Sequence, residues 1–232
     1  MDVDSLPKCV WMSAGLVTYK LCDRDYECHL CPFDQAMRGE GEDMSLEDLP
    51  HPQVELSNFY HPCHVWIKVE TPEKVVMGID GLLSTILCHI NSVILPNSGD
   101  TFSKNDTLCH IVERRGIIPL LSPITGTVIS TNIALKKRPE LLIQDPFKGG
   151  FLLKMKPKNL EKDIRDLFYG EKAIEWLKKE QKRVFNVLSF ITERKDLGKT
   201  MQDGGKKVIS FVCDLTEKDY VKLIEHFMRL SR

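Results

Sequence analysis

Cysteine side chains offer the sharpest chemistry in this chain. Four of its eight cysteines fall in the first 31 residues: Cys9, Cys22, Cys28 and Cys31. Cys28 and Cys31 form a C-x2-C pair, whose turn can bring two sulfurs to one metal ion. Cys22 lies six residues upstream, and Cys9 is within loop reach to complete four. Three or four thiolates suit Zn²⁺ or an iron–sulfur centre, although C-x5-C-x2-C is not the spacing of paired zinc-ribbon knuckles. The same run can serve as a redox dithiol or disulfide, or hold plain free or buried thiols. The charged residues between the sulfurs, Asp23, Arg24, Asp25 and Glu27, weigh against simple burial. Pro32 suits the first position of a helix running to about Arg38. That places Cys31 near the N-cap, where a thiol loses its proton more easily.

Other reactive side chains read more plainly. His61, Cys63 and His64 could add ligands, but their simpler role is the start of a strand. Cys88 and Cys109, each followed by a histidine, fall at strand edges and read as core thiols, as does Cys213 in an apolar stretch. Arg114 and Arg115 sit between two apolar runs and read as a hairpin tip. Two adjacent guanidiniums there are either a solvated tip or a dock for an acidic partner or an anion. No phosphate-binding glycine loop, G-x-S-x-G, H-E-x-x-H or G-x-G-x-x-G occurs, which argues against autonomous catalysis.

The elements that position these residues divide 232 residues into three segments. Residues 1–50 are the cysteine-rich segment and a linker holding Glu40, Glu42, Asp43, Glu47 and Asp48. Residues 51–157 read as β. Val65, Ile67 and Val69 alternate with Trp66 and Lys68, the period of a half-buried strand. Short strands between glycine and proline breaks suggest a sandwich or barrel. Asp80 is expected to cap a short helix carrying Leu82, Leu83 and Ile86. Residues 158–232 turn helical, with Ile174, Leu177, Val184, Leu188 and Ile191 on one face against the barrel or a second copy. A strand is expected at Val208–Cys213. Thr216 and Asp219 then resemble a capping box before a helix from Tyr220 to Leu230. Lysine and arginine number 32 against 33 acids, for a net charge of −1. That balance argues against nucleic-acid and membrane-surface binding. No run of apolar residues is long enough to span a bilayer, and the start lacks a signal-peptide pattern, so a cytoplasmic protein is expected.

The order of landmarks between 60 and 157 resembles the H protein of the glycine cleavage system. The landmarks are His64-Val65-Trp66, Val76-Met77-Gly78-Ile79-Asp80 and Leu95-Pro96-Asn97-Ser98-Gly99. They continue with Ser122-Pro123-Ile124-Thr125-Gly126, Asn132, Asp145-Pro146 and Phe151-Leu152-Leu153-Lys154-Met155-Lys156. The resemblance implies an α+β, β-dominated fold with a barrel-sandwich hybrid core of the biotinyl/lipoyl-carrier kind. To this the chain adds the Cys-rich N-terminal segment and a helical C-terminal extension. H proteins carry lipoate on a hairpin lysine eight residues before the proline of Ser-Pro-x-x-Gly. Here that position is Arg115, and no lysine lies between Lys104 and Lys136. A guanidinium stays charged and is a poor nucleophile, so no lipoate is expected. The resemblance therefore implies an accessory protein that binds protein partners as a scaffold or a metal- or redox-linked adaptor. The rival readings are a genuine carrier of one-carbon or sulfur metabolism and an iron–sulfur electron-transfer protein.

Overall fold

The computed structural model describes residues 7–38, 51–193, 212–213 and 215–228. They fall in two compact units, residues 7–38 in one and the remainder in the other. The acidic linker at 40–48 and the strand expected at 208–211 lie outside the described residues. Val212 and Cys213 are helical rather than extended.

The first unit is small. An antiparallel bridge pairs Lys8 with Leu21. Its flanks are closed by the Cys9 amide on the Lys20 carbonyl (2.9 Å) and the Cys22 amide on the Pro7 carbonyl (2.7 Å). Helix α1 (Val10–Ser13) follows Cys9, and helix α2 (Pro32–Arg38) starts at the proline that suits a first turn. The Trp11 indole donates to buried Asp34 (2.8 Å), tying α1 to α2.

The second unit is sheet-rich with helices. Strands β1 (Phe59–His61), β2 (Val65–Thr71) and β3 (Lys74–Ile79) form a meander. Helix α3 (Gly81–Ile86) follows, then β4 (Ile90–Ile94), β5 (Thr101–Phe102), β6 (Thr107–Glu113), β7 (Gly116–Leu121) and β8 (Gly126–Thr131). Helix α4 (Leu141–Gln144), β9 (Leu153–Pro157), α5 (Leu160–Asp163) and β10 (Phe168–Tyr169) lead to the long helix α6 (Glu171–Glu193). Helix α7 (Glu217–Met228) comes last. One sheet has the order β10-β1-β2-β3-β9-β8-β5 and the other β4-β6-β7. The expected helical stretch from 158 starts at α5 and is interrupted by β10, which pairs with β1 before α6 begins. There Phe59 faces Tyr169 and the two rings stack at 4.6 Å.

Local chemistry accounts for the landmarks. The Asp80 carboxylate caps α3 by accepting the Leu83 amide (2.8 Å). The buried Ser122 hydroxyl donates to the Ile124 carbonyl (2.7 Å) and shapes the turn before β8. A Cβ at Gly126 would run into the Lys156 carbonyl, so only glycine lets β8 and β9 approach there. Asn132 donates to the Gly149 and Phe151 carbonyls (2.8 and 2.7 Å), fixing the loop that Asp145 turns. The alternation in β2 misleads at one place, since Trp66 is as buried as Val65 and Ile67. Its indole lies on Gly78, stacks toward Phe147 at 5.9 Å and donates to the Pro146 carbonyl (3.3 Å). Leu177, Val184, Leu188 and Ile191 of α6 are buried, and Ile174 is half-buried.

Cys88 and Cys213 are not separate core thiols. They are joined in a disulfide that spans 125 residues, with Cα atoms 5.5 Å apart.

Candidate functional site: a covered hairpin tip

Strands β6 and β7 form a hairpin in which Glu113 faces Gly116, leaving Arg114 and Arg115 as a two-residue tip. Arg114 is exposed. Arg115 is half-buried, so the solvated-tip alternative does not hold for it. Its Nη1 donates to the carbonyls of Val212 (3.0 Å), Leu215 (3.4 Å) and Cys213 (3.5 Å). Its guanidinium also lies 3.4 Å from the ring centre of Tyr220 on α7. A planar cation can serve several carbonyls and an aromatic face at once. The chain's own C-terminal segment therefore engages this arginine.

The cover has more fastenings. Thr216 and Asp219 start α7 as the sequence suggests, with hydroxyl and carboxylate 2.5 Å apart and the Asp219 amide donating back to Thr216 (3.3 Å). Tyr220, Leu223 and Phe227 follow at helical spacing, and all three are buried. The Tyr220 hydroxyl donates to the Ile86 carbonyl at the end of α3 (3.5 Å). Burial, and then Glu113 beside it, push this phenol's pKa far up, so it stays neutral. Glu113, itself buried, accepts the Cys88 amide (2.8 Å). Phe227 stacks on His64 at 3.8 Å, and Trp176 of α6 flanks the same imidazole at 5.3 Å.

His64 is held in the left-handed region (φ 62°) at the turn into β2. Its Nδ1 lies 2.8 Å from Asp80, and both side chains are essentially inaccessible. Asp80 thus caps α3 with one oxygen and orients His64 with the other. His61 Nδ1 lies 2.7 Å from the Cys63 sulfur and also accepts the Cys63 amide (3.2 Å). Burial lowers the His61 pKa to about 4 and raises that of Cys63 to about 12, so both are neutral partners. Neither fits a thiolate nucleophile. Cys109 is likewise buried, with its pKa pushed up to about 12.

The N-terminal unit brings together the four sequence-selected cysteines. Cys9, Cys22, Cys28 and Cys31 line one small cavity, with Tyr26 and Asp34 also on its wall. Asp25 and Tyr26 adopt positive φ (47° and 65°), a turn that lets the Tyr26 amide donate to the Cys22 sulfur (3.3 Å). Arg24 closes the loop on the Leu30 carbonyl (3.1 Å). Even so, among the described residues no group of three or more His, Cys, Asp or Glu side chains is placed so as to hold a metal ion.

The profile described as Glycine cleavage H-protein matches residues 58–181. The chain belongs to the glycine cleavage H-protein family. The match runs past 157, so β10 and the first half of α6 lie within the family region. Among its relatives is a probable glycine cleavage system H protein of Pyrococcus horikoshii. That protein is 34% identical over 120 residues, which are 52% of this chain and 89% of the relative. A second such protein, of Saccharolobus solfataricus, is 34% identical over 114 residues, 49% of this chain and 76% of the relative. Glycine cleavage system H protein 4 of Aquifex aeolicus is 30% identical over 137 residues, 59% and 77% of the two chains. The solved H protein of Mycobacterium marinum aligns at 23% identity with a TM-score of 0.44, covering 45% of this chain and 87% of that one. Members of the family are carriers that work with partner proteins and do not catalyse reactions of their own. No helix among the described residues is long and apolar enough to cross a membrane.

The resemblance makes position 115 the family's lipoyl-carrier position, and in this chain that position holds an arginine. A guanidinium is a poor acyl acceptor, and that of Arg115 is engaged by the Val212 carbonyl and the Tyr220 ring.

Proposed function

We propose that this chain is a non-lipoylated H-protein-like accessory protein, built on a barrel-sandwich hybrid domain and working in the cytoplasm as a binding or scaffold subunit. The observation that carries the reading is the engagement of Arg115 by the carbonyls of Val212, Cys213 and Leu215 and by the Tyr220 ring. The residue at the carrier position has become an anchor for the chain's own C-terminal segment. With Arg115 occupied, an external protein partner has Arg114 as the charged group at this tip. The test is intact mass after incubation with a lipoate ligase, ATP and lipoate. The wild-type chain is expected to gain no lipoyl group. Modification at any lysine would make it a working carrier of one-carbon or sulfur metabolism and end this reading.

A second role rests on the N-terminal unit. The convergence of Cys9, Cys22, Cys28 and Cys31 on one cavity supports a thiol centre, with Zn²⁺ or an iron–sulfur cluster as its occupant. Loading would require the sulfurs to draw closer than they are now. Elemental analysis of anaerobically purified protein is expected to show about one centre per chain, lost in a Cys28→Ser/Cys31→Ser variant. A brown, absorbing protein would favour electron transfer, and a colourless one zinc. Near-zero metal in both proteins would leave only the thiol chemistry.

A further inference from the structure

The hairpin cover has one covalent fastening. Cys88 follows α3, and its amide is held by Glu113 at the end of β6. Cys213 belongs to the segment whose carbonyls receive Arg115. The disulfide therefore ties the base of the hairpin to the same few residues that cover its tip. Of the four cysteines in this unit, Cys63 and Cys109 are buried, whereas Cys88 and Cys213 are both partly exposed. The bonded pair is thus the more exposed of the two pairs, and access is what thiol–disulfide exchange requires.

We propose that Cys88–Cys213 is a reversible thiol–disulfide site that locks the C-terminal cover onto the hairpin and is opened by a dithiol reductant. One thiolate of the dithiol attacks a sulfur of the pair, and the Cys88–Cys213 bond breaks to give a mixed disulfide and one free thiolate. The second dithiol thiol then displaces the other cysteine. Two electrons and two protons pass to the protein, giving two thiols, and the reductant leaves as its own disulfide. In a reducing compartment such a bond persists only as a cycling one. The remaining fastenings are non-covalent: the Arg115 cap, the Tyr220 hydroxyl on Ile86, and Phe227 on His64. Each can break and re-form, so reduction frees residues 212–228 to open as a local unit. Opening bares Arg115, Glu113 and the His64–Asp80 pair together, and so changes what the hairpin end presents to a partner. The inference does not depend on whether any lysine of the chain carries an acyl group.

Hydrogen exchange on the full chain tests it, with the oxidised state verified by alkylation without reductant and the reduced state made with dithiothreitol. Reduction is expected to speed exchange of the α7 amides by at least about tenfold, with tip residues 113–117 following. The strands β2, β3 and β9 should keep their protection. A Cys213→Ser variant should match the reduced protein and ignore the dithiol, and Cys88→Ala provides a second such chain if that one folds poorly. Free, alkylatable Cys88 and Cys213 after exposure to a disulfide oxidant would overturn the proposal. Equal α7 exchange in the two states would do the same. Acceleration spread evenly over all strands would also overturn it, because the bond would then stabilise the whole domain instead of gating one segment.

Discussion

Arginine and lysine at position 115 differ in more than nucleophilicity. The guanidinium brings its Nη1 to three carbonyls while its plane lies on the Tyr220 ring, and a lysine ammonium lacks the planar face for that stacking. Charge-assisted hydrogen bonds of this kind contribute about 1.5–3 kcal/mol, and the cation–ring contact about 0.5–2 kcal/mol. An Arg115→Lys change should keep part of this and lose about 1–2 kcal/mol from the attachment of α7. It also restores an acylatable amine, yet leaves that amine beneath Val212 to Tyr220. We therefore expect poor modification by a lipoate ligase in Arg115→Lys, and clear modification at residue 115 once Tyr220→Ala is added. Intact mass and peptide mapping read the result. Full modification of the single variant would mean that α7 does not cover the tip in solution.

At the scale of elements, β2 and β3 show how one absent atom sets a packing arrangement. Trp66 faces Gly78 across the ladder, and a Cβ on Gly78 would come within 2.5 Å of the indole. Gly78→Ala should push the ring off Gly78 and away from the Pro146 carbonyl, costing about 1–3 kcal/mol by overpacking. Denaturant unfolding followed by tryptophan fluorescence would measure it, and an unchanged midpoint would show that the ring has room to move. The Asp80 cap, the hairpin at Arg114-Arg115 and the α6 stripe were legible in the sequence, because each is specified by residues a few places apart. The buried second face of Trp66 was not, since alternation carries no sign of a glycine on the neighbouring strand. Strand β10 has two residues, too few for any period to show. The joining of Cys88 to Cys213 and of Arg115 to Tyr220 links positions about a hundred or more residues apart. Only the spacing of Tyr220, Leu223 and Phe227 could have warned that this helix has a buried face. The four N-terminal cysteines were legible as a group, and the structure lines them on one cavity without arranging them as ligands.

At the scale of the molecule, the family region is followed by a helix that packs back onto its hairpin. The family match ends at 181, inside α6, whereas α7 returns from far along the chain to α3 and the hairpin. Both sheets and α6 are complete by residue 193. Most of the core comes from that part, Tyr60, Trp66, Met77, Ile79, Ile111 and Leu153 among it, and α7 adds Tyr220, Leu223 and Phe227. Burying Tyr220, Leu223 and Phe227 favours the cover, and the lost freedom of the segment opposes it, so its net contribution is small beside that of the core. Removing the residues after 195 should therefore leave a single cooperative melt. The transition should lie several degrees lower, since a loss of 1 kcal/mol moves the midpoint of a domain this size by about 2–4 °C. Baring Phe227's place on His64, and Tyr220's place on Arg115, should also make the truncated chain bind an apolar dye that the full chain excludes. Calorimetry and dye fluorescence on the two chains decide the matter. A truncated chain with no cooperative transition would show that α7 belongs to the core and that its contact with the hairpin holds the fold together. A cooperative melt with new dye binding would show a domain that folds without its cover, as a detachable element requires.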